Sequence, residues 1–124
     1  MEFDPLSNKV IGCAIEVHKH LGPGLLESAY QNCLAYELAQ QGMPFRREVD
    51  LPVVYKGIRL DCGYRMDFVV DEQLILELKC VEDFAPIHAA QILTYMKLSG
   101  ISIGLLLNFN VTRLKDGGIK RYVL

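Results

Sequence analysis

Two acids and an amine, Asp67, Glu77 and Lys79, fall on what the residue pattern predicts as two neighbouring strands. Gln91 and Tyr95 fall on the helix that follows. Residues two apart in a strand share a face, so Glu77 and Lys79 point one way while Leu76, Leu78 and Cys80 point the other way into an apolar layer. Placing a carboxylate and an ammonium on one face of an apolar strand costs desolvation. A metal ion or a phosphate would offset that cost, and so would a simple salt bridge. If the hairpin loop is Asp71-Glu72-Gln73, Val70 pairs with Leu74 and Asp67 falls opposite Glu77, close enough to share one ion. A loop one residue shorter sets Asp67 against Leu78 and puts the acids on opposite faces. Two facing carboxylates without a cation repel, which implies a bound ion or a raised pKa.

Gln91 and Tyr95 are four apart and share a helix face. Packed on the sheet, that face can aim an amide and a phenol at Lys79 and at a phosphate. Glu27, with Tyr30 three residues on, opens another predicted helix and could give the same ion a third acid. A carboxylate at a helix N-terminus is also favourable without any ion. His88 sits one helical turn before Gln91, within reach of a phosphate. Arg46, Arg47, Lys56 and Arg59 surround the first predicted hairpin; they are either solvated strand surface or a rim that contacts a nucleic-acid backbone.

The elements that must position these groups follow from periodicity and punctuation. Asp4-Pro5 starts a helix running to Leu21, with Val10, Ile11, Ala14, Ile15 and Val17 at helical spacing, and Gly22-Pro23-Gly24 stops it. A second helix spans Leu25 to Gln41, with Leu26, Tyr30, Cys33, Leu34 and Leu38 inward. Strands are expected at Phe45–Tyr55, Ile58–Cys62, Tyr64–Val70 and Leu74–Val81, with Pro52 marking the first as an edge or interrupted strand. A third helix covers Ile87–Ser99. A buried strand at Ile101–Phe109 and a short one at Ile119–Leu124 complete the order ααβββ(β)αββ. Tyr30, Tyr36, Tyr64 and Phe68 are expected in the core. His18 and His20, near the end of the first helix, suit its C-terminal partial charge, and His18 could instead face the acidic site.

Bulk properties set limits. The 124 residues suffice for one domain, residues 1–124, and no apolar run reaches the length of a membrane span. The start, Met1-Glu2-Phe3-Asp4-Pro5, lacks the basic-then-apolar order of a signal peptide, so a cytoplasmic protein is expected. Cys13, Cys33, Cys62 and Cys80 have no metal, cluster or redox spacing and read as buried free thiols. Net charge is −2 with a pI near 5.9, which argues against a tight stand-alone DNA binder.

The ordered set Asp67, Glu77-x-Lys79 and Gln91-x-x-x-Tyr95 resembles the core of the PD-(D/E)XK nuclease superfamily, in its RecB-type, lambda-exonuclease-like branch. Leu21-Gly22-Pro23-Gly24-Leu25-Leu26-Glu27-Ser28-Ala29-Tyr30 resembles the name-giving motif of the GxxExxY family, and the likeness runs on to Leu107-Asn108-Phe109. Where the superfamily name has Pro-Asp, this chain has Met66-Asp67. The resemblance implies a restriction-endonuclease-like α/β core, a mixed central β-sheet flanked by α-helices. It implies Mg²⁺ or Mn²⁺ held by Asp67, Glu77 and the Leu78 carbonyl, with Glu27 completing the site. Lys79 would hold the attacking water or stabilise the developing charge, and Gln91 and Tyr95 would orient lysine and phosphate. Carboxylates, a carbonyl and waters suit such hard cations.

Three functions are in view: a metal-dependent nuclease acting on DNA ahead of RNA, a catalytically silent nucleic-acid- or protein-binding module on the same scaffold, and a structural homodimer. Small size and acidic balance favour an oligomer or a protein partner.

Overall fold

The computed structural model describes residues 3–124; the reading of Met1 and Glu2 lies outside them. Element order is α1 (Pro5–Leu21), α2 (Glu27–Gln40), β1 (Phe45–Tyr55), β2 (Ile58–Val70), β3 (Leu74–Lys79), α3 (Pro86–Ser99), β4 (Ile103–Asn108) and β5 (Ile119–Val123). The strands form one sheet in the order β1-β2-β3-β4-β5. Only β3 and β4 are parallel, joined by the α3 crossover. Helices flank a mixed sheet, which is the restriction-endonuclease-like α/β arrangement expected from the sequence.

The sheet carries an apolar layer on each side. Val10, Ala14 and Val17 of α1 and Tyr30, Leu34 and Leu38 of α2 meet Phe68, Val70, Leu74, Leu76, Leu78, Leu105 and Leu107. Ile92, Tyr95 and Met96 of α3 meet Met66, Val69, Ile75 and Leu106. The central strand β3 is therefore apolar on both faces, with Glu77 as its one buried charge-bearing residue. Gly104 on β4 lets α3 approach closely, because a Cβ there would stand 2.8 Å from the Met96 sulfur.

Local chemistry fixes the ends of α1. Asp4 caps it, accepting from the Ser7 N–H at 2.9 Å, and its carboxylate also takes Arg121 of β5 at 2.7 Å. That bond ties the first helix to the last strand.

Several expectations are corrected. Ile58–Cys62 and Tyr64–Val70 are one strand, because Gly63 takes φ of 75° and continues the chain past a bulge instead of breaking it. Leu51 pairs with Tyr64 and Val53 with Leu60, so Pro52, which has no N–H to offer, faces three residues of β2. β1 is the edge strand that Pro52 predicts. Leu26 lies before α2 and is 78% exposed, and Cys33 is only half-buried. Tyr36 and Tyr64 are exposed while Tyr30 and Phe68 are buried. The four thiols are free, but Cys62 is exposed. The tip of the β1–β2 arm is apolar and open: Val54, Tyr55, Ile58 and Leu60 all face solvent.

Candidate active site at the splayed end of two strands

The β2–β3 ladder runs Val70–Leu74, Val69–Ile75, Phe68–Leu76 and then stops. The three-residue loop is therefore the one formed. Beyond Leu76 side chains replace the ladder. The Asp67 N–H donates to Glu77 Oε2 at 2.6 Å, and the Leu78 N–H donates to Asp67 Oδ2 at 2.8 Å. Each acid thus anchors on the other strand's main chain. One oxygen of each carboxylate is used this way, and the second is left for another partner.

The other side of β2 shows why the ladder can end here. Arg47 pairs with Phe68 and Val49 with Met66, but Glu48 and Asp67, which stand between, do not pair. Glu48 takes φ of 52°, an uncommon conformation for a residue with a side chain. Core facing also slips at this point, with Met66 and Val69 packed toward α3 and Phe68 and Val70 toward α1 and α2. The kink brings Glu48 close enough to raise the pKa of both Asp67 and Glu27. No periodicity signalled Glu48, since it reads as an ordinary outward strand residue.

Burial sets the electrostatics. Glu77 is only 4% exposed, and burial lifts its carboxyl to about 8. That value is a net one: burial acts first and the Asp67 carboxylate adds to it, while the Asp67 N–H and Lys79 pull the other way. Asp67 is also raised, first by burial, against the pull of the Leu78 N–H and Lys79. Glu27 is raised by partial burial and then by Asp67. Lys79 Nζ lies 3.4 Å from Gln91 Oε1. Burial raises the Tyr95 phenol, with Glu77 next in effect, while the Gln91 side chain eases its ionisation. Gln91 therefore stands between lysine and phenol, as the four-residue spacing predicts.

Among the described residues no three Asp, Glu, His or Cys side chains stand close enough to ligate one ion. Asp67 and Glu77 are bonded to each other's strands, and Glu27 lies near enough for its carboxyl to feel Asp67 and Lys79. Glu27 stands at the open start of α2, whereas backbone hydrogen bonds hold Asp67 and Glu77 together. The donor set still fits a hard divalent cation. A buried and a half-buried carboxylate with raised pKa values hold a proton that a bound cation would displace.

Asn108 is a positioning residue that sequence reasoning did not assign. It is 2% exposed, its Nδ2 donates to the Val81 carbonyl at 2.9 Å, and its Oδ1 accepts from the Val81 N–H at 3.1 Å. This clamp fixes the chain as it leaves Lys79. A lone Asn at a strand end gives no signal of it. His18 is buried against Phe109, with Nε2 3.1 Å from the Phe109 carbonyl, and so packs on the strand end instead of facing the acids.

The expected rim is mostly engaged within the protein. Arg46 pairs with Glu72 at 2.9 Å, and Arg47 donates to Gln31 and Asn32 and lies over Phe68. Lys56 lies over its neighbour Tyr55. Arg59 makes no ion pair among the described residues. His88 Nδ1 accepts from the Ala85 N–H at 3.0 Å and closes the start of α3.

Residues 4–122 match the sequence model of the PD-(D/E)XK nuclease superfamily. No curated protein and no solved structure matches the chain. The matched region runs from the cap of α1 to β5 and contains every group of the cross-bonded site. The chain belongs to the PD-(D/E)XK nuclease superfamily.

Proposed function

We propose that this protein is a Mg²⁺- or Mn²⁺-dependent nuclease that hydrolyses phosphodiester bonds in DNA ahead of RNA, as a GxxExxY-type member of the RecB-like, lambda-exonuclease-like branch. The observation that carries this reading is the reciprocal anchoring of Asp67 and Glu77 beside a lysine that Gln91 holds. A structural salt bridge needs one acid; two facing acids with raised pKa values favour a cation that would displace their proton. Asp67, Glu77 and the Leu78 carbonyl would hold the ion, with Glu27 as the further acid nearest to them. When bound, the ion supplies positive charge against the phosphoryl oxygens and acidifies water.

The protein's own groups do the rest. Lys79 places fixed positive charge where negative charge builds as water adds to phosphorus. Gln91 keeps the ammonium aimed, and Tyr95 donates toward the phosphate from the same helix face. Of the basic rim, Lys56 and Arg59 at the β1–β2 arm are the residues best placed to meet backbone phosphates. Arg46, Arg47 and His88 contribute after exchanging their protein partners. The four free thiols are in keeping with a reducing compartment such as the cytoplasm.

A second reading has its own observation. The open apolar tip at Val54, Tyr55, Ile58 and Leu60 favours a protein partner or a second copy.

The test is a substrate panel of single-stranded, double-stranded and branched DNA and RNA with Mn²⁺, beside Asp67→Ala and Lys79→Ala. Cleavage should require the metal and fall at least about a hundredfold in Lys79→Ala. Equal cutting by the folded Lys79→Ala protein would trace the activity to a contaminant and end the enzyme reading.

A further inference from the structure

The cations that remain open to solvent are not all at the β1–β2 arm. A cleft of about 460 Å³ lies between the C-terminal end of α1 and the connection from β4 to β5. Its lining is Ile15, His18, Lys19, Gly22 and the run Thr112 to Lys115. Three formal cations, Lys19, Arg113 and Lys115, therefore line one cavity that has no acid in its wall, in a chain whose net charge is −2. All three are exposed. Among the described residues their one ion pair is Arg113 with Asp116 at 3.6 Å, on the surface, where such a pair contributes little.

Lys19 alone would have a simple explanation, since a cation in the last turn of α1 suits the partial negative charge there. Arg113 and Lys115 come from a different segment and have no such reason to converge on it.

The cleft is joined to the catalytic strand through one residue. The Phe109 N–H donates to the Lys79 carbonyl at 3.0 Å, and the Phe109 carbonyl meets His18 of the cleft wall. Tyr30 stacks on the Phe109 ring at 4.5 Å and donates to the carbonyl of Gly22, another wall residue. Tyr30 is also one turn along α2 from Glu27. The loop Gly22 to Leu26 is thus the boundary between cleft and acids, with Gly22 on one side and Glu27 on the other.

We propose that this cleft holds backbone phosphates of a nucleic-acid strand that continues from the scissile position across the Gly22–Leu26 loop, with Lys19, Arg113 and Lys115 meeting the phosphates and the Thr112 hydroxyl as a donor. The inference rests on the nuclease reading and adds the substrate path. It requires a substrate of several nucleotides, because the reacting phosphate alone cannot reach beyond the loop.

The experiment separates binding from cleavage. An end-labelled single-stranded oligonucleotide is titrated with protein in EDTA by fluorescence anisotropy over a salt series. The wild type is compared with the triple variant Lys19→Gln, Arg113→Gln, Lys115→Gln and with the double variant Lys56→Gln, Arg59→Gln. Substitutions at exposed positions such as these leave the fold in place. The triple variant should bind more weakly, and its plot of log affinity against log salt should be shallower by about 2, at roughly 0.7 for each phosphate that is no longer neutralised. In Mn²⁺ it should cut the oligonucleotide more slowly while hydrolysing bis(p-nitrophenyl) phosphate at the wild-type rate. Unchanged affinity and slope in the triple variant would overturn the proposal even if the protein is a nuclease. So would displacement of the oligonucleotide by inorganic phosphate or a mononucleotide at equal phosphate concentration, which would make the cleft a small-anion site. Absence of cleavage by the wild type would remove the nuclease reading alone, since the anisotropy comparison is decided without catalysis.

Discussion

Replacing Glu77 by Gln should make the metal-free protein more stable, and by an amount that depends on pH. The Glu77 carboxyl is raised to about 8 in the fold against 4.5 for an ordinary glutamate. Between those values the folded protein keeps a proton that the unfolded chain has released. Native proton uptake in excess of the unfolded state means that stability falls as pH rises through that window. At about 1.4 kcal/mol per pH unit, the cost is about 3 kcal/mol at pH 7 and reaches about 5 kcal/mol above pH 8. Gln carries no charge, and its carbonyl oxygen can still accept from the Asp67 N–H. In EDTA, Glu77→Gln should therefore match the wild type to within about 1 kcal/mol near pH 5. It should exceed the wild type by about 3 kcal/mol at pH 7. Urea unfolding followed by circular dichroism reads this directly, because a slope of about 1–3 kcal/mol/M turns 3 kcal/mol into a midpoint shift of at least about 1 M. Saturating Mg²⁺ should then close the gap, since only the wild type gains; an ion at a hundred times its Kd adds about 2.7 kcal/mol. Stability curves for the two proteins that run parallel from pH 5 to pH 9 in EDTA would refute the buried-proton account.

Asn108→Ala removes both bonds to Val81 and should cost about 1–3 kcal/mol in urea unfolding, because it leaves the half-buried Val81 N–H without its partner and the carbonyl with only the long Asn110 bond. The same variant should lose cleavage even where it remains folded, since Lys79 loses its fixed exit. Asp4→Ala removes the cap of α1 and the Arg121 bond and should cost about 1–2 kcal/mol, with no change in metal dependence. Gly104→Ala drives a methyl against Met96 and Ile92 and should cost about 1–3 kcal/mol. By displacing α3 it should also lower the cleavage rate, which a stability-only effect would not do under folding conditions.

Much of the site was legible because strand arithmetic is unforgiving. One loop length makes Asp67 meet Glu77, and any other separates them, so a chemical need predicted the register Val70–Leu74. Helix spacing placed Gln91 and Tyr95 together for the same reason. What stayed hidden depends on tertiary packing. Gly63 reads locally as a turn, yet the edge partner with its Pro52 interruption lets β2 run through it. Leu26 and Tyr36 have core-type side chains, but the layer against α2 is already filled by Tyr30, Leu34 and Leu38. Arg46 and Arg47 read as a free rim because their partners, Glu72 and Gln31 with Asn32, are remote in sequence. Glu48 and the Lys19–Arg113–Lys115 cleft carry no periodic signal at all.

The arm formed by β1 and β2 extends past the last residues that α3 covers, and only its base, at Phe68 to Val70, pairs with β3. Its far end, around Lys56-Gly57, makes a turn whose bonding is entirely its own. A protease nick or an inserted tag there would interrupt neither the acid pair nor the crossover that orders the sheet. The turn is thus a place where the chain can be opened, and a split version made at that point should reassemble from two fragments with the reactive end intact.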